Sequence, residues 1–393
     1  MSKYFKKKSF LFFLIFPYFN PLALKYIPKL NILYNVIQGW KLIAIICILI
    51  AYLLRGRISS VIGMIIILEV ISILSSLFNG VYELKVFSNA VIAISMAMLT
   101  EIAIKINFKK FCDVYFQIIA TLLIINFIFC IIYPNGLTMA TLYTTWGNPI
   151  YFLSIDNGMI REMIPLLVMA NYKKSKMTNS KICIQYYSII FVSLMTLVIV
   201  DSTTGIITYL IFSGLLILYS EVLKEKYSYK ILAILYIAFM LLIVLMGSEI
   251  EIINSIIRIF GRSTTFTGRT FLWKKAIQKI VEKPLIGYGY TSGNIAIWGG
   301  YYSSHNMFLE MLLQNGFIFL ILFILLNYIA FVRCKKASVQ YFNLVFGGIF
   351  AYLLVGLMES AISPIYFMLI VMAWYPDAQL SIKTRAIRFL KRI

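Results

Sequence analysis

Apolar residues run in long stretches along most of this chain, and short groups of lysine and arginine separate the stretches. About 20 consecutive apolar residues are enough for an α-helix to cross a bilayer. The pattern therefore predicts about twelve membrane-spanning helices. We expect them near residues 9–24, 34–54, 58–78, 86–104, 112–133, 151–171, 182–200, 204–220, 230–247, 305–331, 341–358 and 362–376. Such a chain is an all-α polytopic membrane protein, and we expect residues 1–393 to form a single integral membrane domain.

The cationic groups alternate with the predicted helices, so that most of them fall on one side of the membrane. Cytoplasmic loops carry an excess of lysine and arginine, which identifies that side as the cytoplasm. We therefore expect a multi-pass protein of the cytoplasmic (inner) membrane with both termini in the cytoplasm. The groups are Lys6 to Lys8, Arg55 and Arg57, Lys105, Lys109 and Lys110, Lys173, Lys174 and Lys176, Lys224, Lys226 and Lys230, Arg333, Lys335 and Lys336, and Lys383 to Arg392.

One long segment between two predicted helices, about residues 248–304, lies on the opposite, outer side and is called the outer segment below. It carries cations although outer loops are normally poor in them. These cations are Arg258, Arg262, Arg269, Lys274, Lys275, Lys279 and Lys283. A cationic loop on the outer face indicates that the protein handles an anionic ligand outside the cytoplasm.

An amphipathic helix is predicted inside the outer segment. Thr267 or Gly268 can start it and Pro284 ends it, and apolar residues recur between them at helical spacing. These apolar residues are Leu272, Trp273, Ala276, Ile277 and Ile280. Such a helix can lie on the membrane surface or cover a cavity. Alternatively, it only packs on the membrane helices and places its lysines against lipid headgroups.

Composition supports the membrane class and excludes several kinds of site. Hydrophobic residues make up 61% and charged residues 13%, and the mean hydropathy is +0.89, which a soluble domain could not bury. The net charge of +21 follows from the cytoplasmic loops, so we expect no nucleic-acid partner. None of the five cysteines falls in the outer segment, which argues against a disulfide or a zinc site. Outer carboxylates are sparse and form no Asp-x-Asp motif, so we expect no metal site.

His305, the only histidine, follows the outer segment and is the candidate general base. An unperturbed imidazole is largely neutral near pH 7 and can accept a proton. Its alternative role is a hydrogen-bonding or cationic contact to the anionic ligand. The next residue, Asn306, either orients the substrate or caps the helix that begins there.

Three arginines are candidates for binding the anion. Arg269 lies in the first turn of the predicted outer helix, where free backbone N–H groups and the helix dipole favour an anion. Its alternative is a surface ion pair with the ends of the membrane helices. Arg262 is a second candidate. Arg161 lies in an apolar stretch where a charge is costly, so it binds the anion or pairs with Glu162 or Asp156.

Several short motifs in this region resemble the O-antigen polymerase and ligase superfamily. They are Gly268 to Trp273, Pro284 to Gly289, His305 with Asn306, Leu309 with Glu310, and Gly316. Each motif is weak alone, but their order, spacing and position between two late helices resemble that superfamily. The resemblance is strongest over about residues 200–320.

The resemblance implies a helical fold related to GT-C-type glycosyltransferases that use polyprenyl-phosphate carriers. It implies transfer of lipid-linked saccharides at the outer membrane face, without a nucleotide sugar, a cofactor or an obligatory metal. The implied partners are a glycan donor and an acceptor on undecaprenyl pyrophosphate, membrane lipid, and a protein that regulates chain length. In that reaction His305 is the base, and Arg269 with Arg161 or Arg262 binds the departing pyrophosphate.

One departure from the family pattern bears on the choice of activity. Ligases of the superfamily often carry an arginine in a Ser-Arg-Gly step that opens the helix before the outer segment, whereas residues 201–205 here contain none. This difference favours a metal-independent polymerase of surface polysaccharide, either capsule or O-antigen. The alternatives are a ligase and, from a different class, a transporter of the lipid-linked unit. A transporter would more often show repeated halves or charges near the bilayer midplane.

Overall fold

Helices make up nearly all of the structure. The computed structural model describes residues 2–139, 149–176, 180–221, 233–234, 236–238, 240–241, 269–290, 295–297, 300–360 and 363–376. Its α-helices are α1 Ser2–Phe5, α2 Lys8–Ile15, α3 Ala23–Tyr26, α4 Asn31–Leu53, α5 Ser60–Phe78, α6 Leu84–Ile132, α7 Ile160–Lys176, α8 Ser180–Ile199, α9 Thr203–Glu221, α10 Arg269–Glu282, α11 Met307–Cys334, α12 Val339–Gly356 and α13 Pro364–Trp374. Short 3-10 helices cover Phe16–Tyr18, Pro28–Leu30 and Asp156–Gly158.

Extended structure in the described ranges is limited to two short antiparallel pairs. Strand β1 (Thr138–Met139) pairs with β2 (Pro149–Ile150). Strand β3 (Ile295–Ile297) pairs with β4 (Gly300–Tyr302), so that Ile295 lies opposite Tyr302. The second pair lies within the outer segment, a few residues before His305.

Six helices in the described part of the chain are long and apolar enough to cross a membrane, which makes this an integral membrane protein. They cover Pro28–Leu53, Ser60–Phe78, Leu84–Ile132, Ile182–Ile199, Met307–Cys334 and Val339–Gly356. Apolar helices at Lys8–Tyr18, Thr203–Leu216 and Pro364–Trp374 are shorter. The predicted number of about twelve is not confirmed, and the predicted helix near 230–247 lies largely outside the described residues.

Two predicted helices, near 86–104 and 112–133, join into the 49-residue helix α6. The join contains one residue with non-helical backbone angles, Asn107, at φ −162° and ψ 82°. Its side-chain Oδ1 accepts a hydrogen bond from Lys110 N at 3.1 Å. Asn107 therefore caps the second half of α6, and the cationic residues near it lie on helix and not on a loop.

Cationic residues from distant parts of the chain meet at one end of the bundle. Lys110 Nζ donates to Lys6 O at 2.5 Å, which joins the turn between α1 and α2 to the middle of α6. The other contacts at this end are Lys173 with Asp113, Lys105 with Glu101 and Tyr375, and Arg333 with Trp374. This grouping agrees with the predicted alternation of charge, while the direction of the bundle relative to the cell stays a prediction.

The predicted amphipathic helix of the outer segment is α10. It buries Leu272, Trp273, Ala276 and Ile280 against Leu309 and Leu313 on the first turns of α11. Of the arrangements considered from the sequence, the structure therefore shows a helix that packs on a membrane helix. Its first residue, Arg269, is brought to the end of the bundle where α11 begins.

Helix α11 contains a break at Gly316 that receives the turn after α10. Gly316 has φ 72°, and a Cβ there would lie 2.1 Å from Leu285 O, so only glycine fits. Because the helix is interrupted, Phe317 N donates instead to Pro284 O at 2.7 Å. The chain from Pro284 to Gly289 thus forms a tight turn that is built into α11.

The end of α5 holds the same turn from the other side. Ser75 Oγ lies within hydrogen-bonding distance of Gln314 O, at 2.6 Å, and of Ile286 O. Asn79 Nδ2 donates to Gly287 O at 3.1 Å. Helix α5, the turn and α11 therefore form one interlocked assembly, which fixes the position of the first half of α11.

Candidate active site

Asn306 begins α11 and is its N-cap. Its Oδ1 accepts hydrogen bonds from Phe308 N at 3.0 Å and Leu309 N at 3.1 Å, the usual arrangement for an asparagine cap. Its Nδ2 donates to Leu357 O, beyond the end of α12, at 3.2 Å. Of the two roles considered for Asn306, the structure shows the cap, and it also shows a bond that ties α11 to α12.

Ser304, on the other side of His305, is held by both neighbouring helices. Its backbone N and its Oγ donate to Glu310 Oε2 at 2.8 and 2.7 Å. Its carbonyl oxygen accepts a hydrogen bond from Trp273 Nε1 at 2.9 Å. Glu310 is in turn held by Gln314 Nε2, which donates to Oε1 at 2.8 Å. The residue before His305 is therefore fixed to α10 and α11 at once.

His305 has a left-handed backbone conformation with φ 50°. A non-glycine residue adopts this region only when its surroundings impose it. Here the surroundings are the bonds of Ser304 and Asn306, on either side of it in the chain. Within the described ranges, His305 Nδ1 is buried and makes no hydrogen bond. The imidazole is thus placed by its backbone and keeps a nitrogen that no protein group uses in that part of the chain.

Burial and the nearby Arg269 guanidinium lower the pKa of His305 from 6.5 to about 4. Burial disfavours the charged imidazolium, and the positive charge of Arg269 disfavours it further. His305 is therefore neutral at pH 7. This favours the role of proton acceptor over the cationic contact that the sequence also allowed.

Arg269 lies at the N-terminus of α10 and forms an ion pair with Glu359, on the segment after α12. The Nη2 to Oε1 distance is 3.7 Å, and the two side chains are 17% and 14% exposed. An ion pair was the alternative role predicted for Arg269 from the sequence, and the structure contains one. At 3.7 Å these two atoms are too far apart for a direct hydrogen bond, and both side chains are partly exposed.

Arg161 lies in the first turn of α7, at the same end of the bundle. Tyr352 Oη, on α12, donates to Arg161 O at 2.5 Å. A Cβ added to Gly158 would lie 3.4 Å from Arg161 Nη2, so the guanidinium extends over the short 3-10 helix before α7. Arg161 and Glu359 therefore both lie along the last turns of α12 and the segment that follows.

The fifth predicted residue, Arg262, lies outside the described residues. The structure brings together His305, Arg269 and Asn306, and it connects Arg161 to them through α12. Across the described ranges, no three His, Cys, Asp or Glu side chains are grouped so that they could hold a metal ion.

Sequence reasoning missed the roles of Glu310, Ser304 and Glu359. Glu310 was recognised as part of a motif but was given no function, although an acid inside an apolar helix is costly unless it is bonded. That cost was the available signal. For Ser304 and Glu359 the sequence offered no signal, because their contacts depend on how α10, α11 and α12 meet.

Comparison with known proteins identifies the region that contains this site. Residues 188–324 match the family described as O-antigen ligase. A curated relative, the exopolysaccharide production protein ExoQ of Rhizobium meliloti (strain 1021), is 31% identical over 93 residues. The match covers 20% of this chain and 21% of that protein, so the chain spans about a fifth of the relative's length. No solved structure matches the chain. The family match includes α10, the turn at Pro284 to Gly289 and the start of α11, so the part of the chain that holds the candidate site is similar to the O-antigen ligase family.

Proposed function

We propose that this protein is a glycosyltransferase that joins oligosaccharide units carried on undecaprenyl pyrophosphate into a surface polysaccharide. The observation that carries the proposal is the pairing of a neutral His305 with Arg269 at the N-terminus of α11. A neutral base beside a fixed cation suits a reaction in which a hydroxyl loses a proton and a pyrophosphate departs. The relative's role in exopolysaccharide production agrees with a product of this class.

The reaction requires a base that accepts the proton of a hydroxyl and a cation that binds the departing pyrophosphate. A hydroxyl of the acceptor glycan attacks the anomeric carbon of the donor, and a new C–O bond forms there. The bond between that carbon and the pyrophosphate oxygen breaks, and the pyrophosphate leaves with the electron pair. The hydroxyl proton passes to His305. Direct displacement of this kind inverts the configuration of the anomeric carbon.

Arg269 is the proposed ligand of the departing pyrophosphate. It lies in the first turn of α10, where the N-terminal backbone N–H groups add to its charge. A guanidinium can bind two phosphate oxygens at once, and this stabilises the charge that develops as the bond breaks. Because the guanidinium neutralises the charge of the departing pyrophosphate, this proposal uses no metal or other cofactor. We therefore expect activity to survive a chelator.

Arg161 is the proposed second ligand, in place of the arginine that ligases often carry in the Ser-Arg-Gly step. In this chain the corresponding step includes Ser202, whose Oγ donates to Asn157 Oδ1 at 3.0 Å. Asn157 belongs to the 3-10 helix over which the Arg161 guanidinium extends. Arg161 therefore lies close to the step that lacks an arginine. Arg262 is a further candidate on sequence grounds.

Donor binding should make His305 a stronger base. In the free protein the charge of Arg269 contributes to the low pKa of His305. An anion bound to Arg269 offsets that charge and raises the pKa of His305 toward neutrality. General bases work best when their pKa lies near the working pH. His305 thus becomes effective when the pyrophosphate is in place.

The proposed setting is the outer face of the inner membrane, with both termini in the cytoplasm. The support is the gathering of cations at the opposite end of the bundle. The proposed partners are the lipid-linked donor and acceptor, membrane lipid and a protein that regulates chain length.

A ligase would use the same residues with a different acceptor, and one experiment separates the activities. Purified protein in lipid nanodiscs receives a lipid-linked repeat unit as the only substrate. We expect a ladder of products with increasing numbers of units. Product that forms only when a different acceptor is added would indicate a ligase. A transporter would form no glycosidic bond under either condition.

A further inference from the structure

A buried carboxylate, Glu310, binds the residue that precedes the candidate base. It is 5% exposed, and both of its oxygens accept hydrogen bonds. Oε2 accepts from the backbone N and the Oγ of Ser304, and Oε1 accepts from Gln314 Nε2. A buried acid is costly unless it is bonded in this way. Two of these three hydrogen bonds come from Ser304, the residue that precedes His305.

The backbone at His305 needs such support. Its φ of 50° places it in a region that a non-glycine residue occupies at a cost of about 1–3 kcal/mol. A residue in that conformation relaxes when the contacts around it are removed. Ser304 is held on one side by Glu310 and on the other by Trp273, and Asn306 is held by α11 and α12. Glu310 supplies the only side-chain acceptor for the Ser304 N–H among the hydrogen bonds of the described residues.

We propose that Glu310 is a positioning residue: by holding Ser304 it maintains the left-handed backbone conformation of His305 and so keeps the imidazole partly buried beside Arg269. Its role in turnover rests on the proposed function. Its effect on the placement of His305 does not, because that effect follows from the hydrogen bonds alone.

The single histidine makes this placement measurable without an activity assay. Protein labelled with ¹⁵N-histidine gives the ring-nitrogen signals of a single imidazole, that of His305. Titration of those signals in nanodiscs reports the pKa of His305, which burial and Arg269 hold at about 4. Charged side chains close to this site in the described ranges include Glu310 on α11, which binds Ser304, and Glu359 after α12, which pairs with Arg269. An imidazole that leaves its buried position titrates nearer the ordinary value of about 6.5.

Two substitutions separate hydrogen bonding from packing. Glu310→Met keeps the length of the side chain and removes every acceptor, so the Ser304 N–H and hydroxyl lose their partner. Glu310→Gln keeps one acceptor oxygen for Ser304, and the Gln314 amide can rotate to accept from the new amide. The matched control is Glu101→Met, which removes an equally buried, multiply bonded carboxylate at the opposite end of the bundle.

We expect Glu310→Met to raise the pKa of His305 by more than about one unit toward its ordinary value. Turnover should fall about 10- to 100-fold through misplacement of the base, with the donor KM changed much less. Glu310→Gln should stay within about threefold of the parent protein, and Glu101→Met should leave the His305 titration unchanged. The proposal is overturned if Glu310→Met keeps the parental pKa of His305, or if Glu310→Gln and Glu310→Met are equally impaired.

Failure of the proposed function gives a different pattern. If Glu310→Met moves the His305 titration while His305→Gln polymerises at the parental rate, the positioning of His305 by Glu310 stands. In that case His305 is not the base, and the reaction assigned to it is wrong.

Discussion

Trp273 Nε1 donates a hydrogen bond to Ser304 O at 2.9 Å, and this bond joins the outer helix α10 to the residue before His305. The indole is fully buried, and the same helix begins with Arg269. The candidate base and the candidate anion ligand are therefore placed by one rigid connection.

Trp273→Phe should weaken this connection while keeping an aromatic ring in the core. We expect stability to fall by about 0.5–1.5 kcal/mol through the lost hydrogen bond, with additional loss from the smaller ring. Turnover should fall by about tenfold or more, because His305 and Arg269 are no longer held in register. Trp40→Phe is the matched control, since Trp40 Nε1 donates to Phe13 O at the same distance. Equal turnover in the two variants would contradict the connection.

Arg269→Ala should abolish polymer formation while the protein stays folded in the membrane. Arg269→Lys should recover little, because an ammonium cannot reproduce the two-pronged contact of a guanidinium with phosphate oxygens. Lys274→Ala removes a charge from an exposed position on the same helix and should have little effect. The measurement is the rate of repeat-unit addition in nanodiscs. Full activity of the lysine variant would show that charge alone is required.

Gly316→Ala should prevent α11 from receiving the turn after α10. The added Cβ would meet Leu285 O, and the positive φ alone costs about 1–3 kcal/mol. We expect a large fall in the unfolding temperature and in the yield of folded protein. Gly63→Ala is the control, because a Cβ at that helical position meets no atom within 4 Å. Equal unfolding temperatures for the two variants would show that the break at Gly316 is not required.

The stability of the protein should depend on pH through His305. The unfolded chain binds a proton at this residue near pH 6.5, whereas the folded protein binds it only near pH 4. The contribution is therefore fully present above about pH 6.5 and is lost as the pH falls toward 4. Carboxylates titrate in the same range, so the comparison is with His305→Gln, which should lose less stability on acidification. If the free energy of unfolding falls by the same amount in the two proteins between pH 7 and 4.5, His305 is not held neutral by its partly buried position.

The helices of this fold were largely predictable because their signals are local. The apolar spacing from Leu272 to Ile280 and the residues Gly268 and Pro284 were enough to predict α10. The break in α6 at Asn107 falls in the predicted gap between residues 104 and 112, but the lysines around it, interpreted as a loop, lie on helix. Hydropathy alone does not distinguish a run of charged residues on a helix from a run of charged residues on a loop.

The candidate site was predictable only in part. His305 and Arg269 could be identified because one is unique and the other begins a helix in a recognisable motif. The φ of His305 and the ion pair with Glu359 arise where α10, α11 and α12 meet. Contacts of this kind depend on tertiary packing, and no short pattern along the chain records them.

The most direct test of the account compares the parent protein with His305→Gln in nanodiscs supplied with a lipid-linked repeat unit. Glutamine keeps hydrogen-bonding capacity and lacks a basic nitrogen, so it separates the base from a contact that only orients the substrate. Positioned general bases contribute about 10²–10⁴-fold to rate. We expect the parent protein to give a ladder of polymer, and His305→Gln to bind the donor normally but extend it at least about 100-fold more slowly. A ladder formed by His305→Gln at the parental rate and length would contradict the assignment of His305 as the base.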